Sequence, residues 1–188
     1  MIETPKVPPH VGLFVTCLMN LFRPSIGFAT AKLLEDAGCI VSVPAGQTCC
    51  GQPAYNAGDN DSARALAKHV ITAFEDYDYL VGPSGSCMAT IRHDYPVLLA
   101  ADRGWRDRAG AVAAKSWELT SFLVDVLGIT RVQARFDGVA TYHDSCSGLR
   151  GLGIKGQPRQ LLAGIAGLTL REMTDSEVCC GFGGTFCV

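Results

Sequence analysis

Short apolar runs alternate along this chain with longer segments whose apolar residues recur every three or four positions, the periods of strand and helix. "HVGLFVT" reads as a buried strand that ends at Cys17. "PSIGFATAKLLEDAG" follows as a helix, with Pro24 near its start and Gly38 just past its end. "CIVSVP" is a second strand, and it runs into Cys49-Cys50-Gly51. "NDSARALAKHVITAFEDY" has helical spacing and an Asn or Asp available as its cap. "DYLVGP" is a third strand that leads to the loop "SGSC" with Cys87, and "MATIRHDYPVLLAA" is a helix interrupted around Pro96. Strands alternating with helices predict parallel βαβ units.

A polar, Gly-punctuated segment, "ADRGWRDRAGAVAAKS", has no strand pattern and marks a boundary. Beyond it "SWELTSFLVDVLG" reads as a helix capped by Ser116. A second round then begins: strand "GVATYHD", Cys146, a Gly-rich turn, helix "QPRQLLAGIAGL", strand "TLREM" and Cys179-Cys180-Gly181. The rounds superimpose. Cys17 is followed after 31 residues by Cys49-Cys50-Gly51, and Cys146 after 32 residues by Cys179-Cys180-Gly181. That period is too long for a solenoid and fits duplication of a whole lobe. The expected fold is α/β, with two pseudo-repeated βαβ lobes and parallel sheets. Residues 1–105 are expected to form the first lobe and 106–188 the second, which would then be truncated at its C-terminus.

Composition sets the compartment. The chain is 48% hydrophobic and 18% charged, which describes a packed protein with a sizeable core. A formal charge of -2 and the absence of a Lys/Arg cluster argue against nucleic acid as a partner. The N-terminal "MIETPKVPPHVGLFVTC" lacks the pattern of a signal peptide, and no apolar stretch reaches the ~18 residues of a membrane helix. The expectation is a cytoplasmic protein.

In that reducing compartment nine cysteines in 188 residues do not read as a disulfide framework. Neighbours such as Cys49 and Cys50 also bridge each other poorly, since adjacent Cα atoms lie only about 3.8 Å apart. Clustered cytosolic cysteines bind metal or do redox work. Ligands of open α/β sheets collect beyond the carboxyl ends of the strands. Cys17, Cys49, Cys50 and Cys87 all fall at such ends, so three strand ends would bring four thiolates together. Four thiolates suit a 4Fe–4S cluster or a structural zinc. Dispersed ligands around an adjacent pair match the cluster better than the tight C-x2-C knuckles of zinc. Flanking glycines in "GQTCCGQP" and "PSGSC" would let backbone N–H groups approach an anionic centre.

The twice-repeated pattern of a cysteine, Cys-Cys-Gly and, in the first round, a further cysteine resembles the cysteine-rich CCG-domain family. Members of that family include the B subunit of heterodisulfide reductase and the iron–sulfur subunit of glycolate oxidase. Within it, "VGLFVTCLMNLFRPSIGFATAKLLEDAGC", "TCCGQPAYNAG", "GPSGSC" and "EVCCGFGGTFCV" are most similar to the lactate utilization branch. The resemblance implies an iron–sulfur electron-transfer subunit of an L-lactate oxidation system. Its implied partners are a ferredoxin-like iron–sulfur subunit and a third small subunit. It implies one 4Fe–4S cluster on Cys17, Cys49, Cys50 and Cys87, and a second possible centre on Cys146, Cys179 and Cys180. Two departures stand out: position 90, where the family's C-x2-C would place a second cysteine, is Thr90, and the last motif of the second lobe would fall beyond residue 188. A disulfide-reducing subunit of the heterodisulfide reductase type and a structural metal protein are the competing readings.

The remaining candidates carry less. Cys39, before "IVSV", reads as a buried inert thiol, and Cys187 as either a fourth ligand beside Cys179-Cys180 or a packing residue. His143 and Asp144 would either support a ligand by hydrogen bonding or simply close a strand end. His10, His69 and His93 have no metal spacing. "GLRGLGIKGQPR" does not spell a dinucleotide fingerprint, and there is no P-loop or Ser/His/Asp signature.

Overall fold

The apolar run His10–Leu13 forms β1, buried from Val11 onward, because both faces of a parallel strand are covered. The computed structural model describes residues 7–181. After β1 come α1 (Cys17–Phe22), α2 (Pro24–Asp36) and β2 (Ile40–Ser42). Then follow α3 (Gln52–Asn56), α4 (Asn60–Phe74) and β3 (Tyr79–Gly82). Asp59 caps α4, its carboxylate accepting from the Ser62 N–H at 3.1 Å. Helix α5 (Gly85–Ala89) passes through a π turn, Thr90–Asp94, into α6 (Tyr95–Leu98). The expected interruption at Pro96 is therefore a local widening and not a break. The extra residue of a π turn accommodates a proline that would otherwise clash with the carbonyl four residues back.

The segment 106–118 behaves differently from its sequence reading. Arg106–Ala114 is a helix, α7, which buries Ala109, Val112 and Ala113, and Ser116–Glu118 is a strand, β4. Ser116 does not cap a helix: its backbone pairs with Leu80 and its hydroxyl donates to the Val112 carbonyl at 2.7 Å. The cap of α8 (Leu119–Ser121) is Glu118, whose carboxylate accepts from the Thr120 and Ser121 N–H groups. A second π turn, Phe122–Val126, continues α8.

All four strands of the first sheet run parallel in the order β2-β1-β3-β4, with Gly12 opposite Leu80 and Val81 opposite Trp117. The sheet thus takes a strand from beyond residue 105, across the boundary placed there. One face packs on α4, α5, α6 and α7 through Phe14, Val70, Phe74, Leu80, Met88, Ile91 and Leu99. The other carries Val11, Leu13, Leu34, Val81, Leu119, Phe122 and Leu123.

The second lobe repeats the βαβ plan: β5 (Arg135–Ala140), a π turn at Ser147–Gly151, α9 (Gly156–Ala163) and β6 (Ala166–Leu170). Strands β5 and β6 pair in parallel, with Val139 opposite Thr169. Leu161 of α9 enters the core of the first sheet, so the lobes share apolar packing. The mixed α/β fold with parallel sheets expected from the alternation is what the chain adopts. Among the described residues no helix is long and apolar enough to cross a membrane.

Candidate functional site

The first sheet reverses its winding between β1 and β3: β2 lies on one side and β4 on the other. A crevice opens at such a switch point beyond the strand carboxyl ends. Three chain segments enter it. Strand β1 ends at Leu13, four residues before Cys17. Thr16 caps α1, accepting from the Met19 N–H at 3.3 Å, and this places Cys17 in the first turn. The loop after β2 is tied to β1 by Gln47, whose side-chain oxygen accepts from the Val15 N–H at 2.7 Å. That loop delivers Cys49 and Cys50, and it turns into α3 at Gly51, where φ is +83° and a side chain would be strained. After β3, Ser84 caps α5 by accepting from the Cys87 N–H at 3.4 Å.

The four thiols meet there. The Cys17 thiol donates to Cys49 Sγ at 3.9 Å, and Cys50 lies close enough to Cys49 and Cys87 for the three to shift one another's acidity. Cys50 and Cys87 are buried, while Cys17 and Cys49 are half-exposed. Tyr95 anchors the pair from beneath, its hydroxyl donating to the Cys50 carbonyl at 2.7 Å. A cavity of about 410 Å³ opens over Cys17 and Cys49, lined also by Val15, Asn20, Val43 and Gln47.

This contact splits the thiols electrostatically. The hydrogen bond from Cys50 is the largest influence on Cys49; with the N–H groups of Gly51 and Cys50 and the Cys17 thiol, it lowers Cys49 to about 5 against the opposing pull of burial. Cys87 falls to about 7, chiefly through its hydrogen bond with Cys50. Cys50 is the proton holder, pushed far up by its contacts with Cys49 and Cys87 and then by burial. Burial, followed by the charge of Cys49, raises Cys17. Backbone N–H groups of Leu18 and Gln52 also favour the thiolates of Cys17 and Cys50. A set of soft donors in mutual contact, ringed by N–H groups, suits an anionic thiolate-held cluster. Among the described residues, no three His, Cys, Asp or Glu side chains are grouped so as to hold a single metal ion.

The second set is more open to solvent than the first. Cys146, which opens the π turn at Ser147–Gly151, is exposed, as are Cys179 and Cys180. The two parts of this set are nevertheless tied near their bases. The Asp144 N–H donates to the Ser176 carbonyl at 2.8 Å, and the His143 ring sits 2.8 Å from the Val178 carbonyl. Cys187 lies outside the described residues. Cys39 is buried in the apolar core, as an inert thiol should be. His10 contacts Ser42 Oγ at 2.9 Å, and His93 meets the Gly151 carbonyl at 3.0 Å across the lobe junction. Thr90 is buried; its hydroxyl makes no well-formed hydrogen bond, although it lies close enough to Asp94 to favour that carboxylate.

The two cysteine loops touch. A Cβ on Gly85, two residues before Cys87, would lie 3.0 Å from the Cα and N of Gly148, two residues after Cys146. A side chain at Gly85 would force the Gly148 backbone to give way by a few tenths of an ångström. Sequence reading did not find Gln47, Tyr95 or this glycine pair. The amide in "GQTCCG" was the one visible signal, a polar side chain fixed between a strand and the cysteines.

The model of a family described as the CCG cysteine-rich domain matches residues 11–92 and 140–188, the two stretches that carry the repeated cysteines. The chain is 53% identical over 182 residues to lactate utilization protein A of Exiguobacterium sp., covering 96% of this chain and 74% of that protein. It is 51% identical over 178 residues to the protein of the same name from Bacillus cytotoxicus, and 49% identical to one from Bacillus cereus. Each of these two alignments covers 95% of this chain and 74% of the relative.

Proposed function

This chain belongs to the CCG cysteine-rich domain family, and on that premise we propose that it is an iron–sulfur electron-transfer subunit of an L-lactate oxidation system. The lactate role follows the name of its relatives, lactate utilization protein A. The observation that carries the electron-transfer reading is the convergence of Cys17, Cys49, Cys50 and Cys87 at the switch point of the first sheet. These four would hold a 4Fe–4S cluster, and Cys146, Cys179 and Cys180 would contribute to a second centre. A cluster so held supplies single-electron transfer.

The chain's own residues prepare that site. N–H groups of Leu18, Cys50, Gly51 and Gln52 stabilise negative charge on sulfur before any metal arrives. Phe14 and Met88, both fully buried, belong to the same packed core as Cys50 and Cys87 and keep water from the inner pair. The half-exposed pair, Cys17 and Cys49, faces the open cavity, the side on which a redox partner would come close. Oxidising lactate removes two electrons and needs a hydride or electron-pair acceptor such as a flavin or nicotinamide. Such an acceptor would belong to partner subunits, a ferredoxin-like protein and a third small subunit, and the assembly would work in the cytoplasm.

Anaerobic purification with iron, sulfide and zinc counts tests the reading. Iron and sulfide in equal amounts, with broad visible absorption that bleaches on reduction, is the expected result. Stoichiometric zinc without iron or sulfide would overturn it.

A further inference from the structure

Asp144 is the most completely buried carboxylate among the described residues, and its side chain has no solvent exposure. It lies two residues before Cys146. Arg159 of α9 grips it with both terminal nitrogens, Nη1 to Oδ1 and Nη2 to Oδ2, each at 2.7 Å. The same guanidinium reaches Glu172 with Nε at 2.7 Å and Nη2 at 3.0 Å, and Nη1 also donates to the Lys155 carbonyl at 2.8 Å. Tyr142 lies against it, with the guanidinium carbon 5.2 Å from the ring centroid.

The segments joined in this way are the ones that matter for the second cysteine set. Tyr142–Cys146 leads from β5 to the single cysteine, and Glu172–Val178 leads from β6 to the adjacent pair. Asp144, in the first of these segments, is held to α9 through its carboxylate and to the second segment through its N–H, which donates to the Ser176 carbonyl at 2.8 Å. Lys155 adds an ion pair to Glu177, and the Arg150 Nη2 approaches the carbonyl of the same residue at 3.5 Å. A buried carboxylate held by a planar two-pronged donor has one geometry, and a lysine cannot reproduce it. Among the described residues no such ionic clamp is seen at the first set, where Gln47, Ser84 and Tyr95 fix the loops with neutral hydrogen bonds.

We infer that Arg159, acting through Asp144, is a positioning residue for the second cysteine set: the pair holds Cys146 and Cys179-Cys180 in register across the β5–β6 crossover before any ligand binds. The inference rests on the reading of these cysteines as one centre. It can be tested without metal.

The experiment treats the full, metal-free chain with the thiol-bridging reagent dibromobimane and maps the bridged peptides by mass spectrometry. Bridges from Cys146 to Cys179 or Cys180 report the second set. A Cys17–Cys49 bridge, between sulfurs 3.9 Å apart, is the internal standard. In Arg159→Gln the second-set bridge should fall severalfold against that standard, and Arg159→Lys should restore part of it. Arg135→Gln, which removes an exposed pair with Asp137 in the same lobe, should change neither bridge. Unchanged second-set bridging in both Arg159 variants overturns the inference. So does an equal loss of both bridges, which would mean general loosening; if Arg159→Gln does not fold, Arg159→Lys decides alone by the same ratio. On reconstitution with iron and sulfide, Arg159→Gln should weaken the second set by about 10–100-fold, the usual effect of removing a residue that orients a ligand. Failure of the wild-type chain to bind iron at all would count against the proposed function, and the bridging ratio would still decide the role of Arg159.

Discussion

Removing one oxygen atom from Tyr95 should loosen the cysteine pair from beneath. Tyr95 is only 2% exposed, and its hydroxyl donates to the Cys50 carbonyl at 2.7 Å. Phenylalanine fills the same space, so Tyr95→Phe deletes a hydrogen bond without opening a cavity in the ring's bed. It leaves a carbonyl in the buried floor of the site without this donor, at a cost of about 1–3 kcal/mol. For a chain of this size each kcal/mol lowers Tm by about 2–4 °C, so the fall should be roughly 2–12 °C. Burial, and then the charges of the neighbouring thiols, push the phenol well above its ordinary value, so it stays a neutral donor and the deficit should not vary between neutral and mildly alkaline pH. Calorimetry of the metal-free chain under reductant measures the loss. The rate at which Cys50 is alkylated should rise at the same time, while that of Cys39, in the core on the opposite face of the sheet, stays constant. An unchanged Tm together with unchanged Cys50 reactivity would refute the reasoning, because the carbonyl would then have a second donor and the tyrosine no anchoring role.

Other outcomes follow from the same geometry. Replacing Cys49 or Cys50 with Ser should strip or convert the first cluster while Cys39→Ser leaves it in place; equal iron content in all three variants would contradict the ligand assignment. Cys49 at about 5 and Cys87 at about 7 are depressed from the ordinary 9.0, so in the metal-free chain their contribution is present above pH 9 and lost as pH falls through those values. Cys17 and Cys50 are raised, and their contribution is lost as pH climbs past 9. Denaturant midpoints should therefore rise from pH 5 to pH 8 and turn down in stronger alkali, and a flat profile would show that the thiols are not coupled. Gly85→Ala would force a methyl to 3.0 Å from the Gly148 backbone and should cost about 1–3 kcal/mol by overpacking, read as a shift in denaturant midpoint.

What could be read directly from the residues was set by local rules. Strands β1, β2 and β3 announced themselves as apolar runs, and α2 and α4 by periodicity and end signals. The four cysteines of the first set were legible because strand ends in a parallel sheet share one edge. Strand β4 was missed because it is three residues long, "SWE", and is a strand only because Leu80 and Val81 offer it a pairing edge. The π turns were missed because widening a helix by one residue, ahead of Pro96 or elsewhere, leaves the residue pattern unchanged. Asp144 and Arg159 are 15 residues apart, with no spacing that links them; a fork closing on a buried carboxylate is a fact of three dimensions. For the same reason the touch between Gly85 and Gly148 was invisible, since each glycine alone reads as an ordinary turn.

The shared core has a consequence for how the molecule is made. As the chain leaves the ribosome, β1, β2 and β3 emerge before the residues that cover one of their faces. Val11, Leu13, Leu34 and Val81 must wait for Phe122 and Leu123, and then for Leu161. At synthesis rates of about 5–20 residues per second, that face is covered only in part, by α2, for several seconds or longer after β3 appears. The nascent half-molecule is thus a sticky intermediate by design of its topology, and its yield in the cell should depend on chaperone capacity and translation speed more than on the stability of the finished protein.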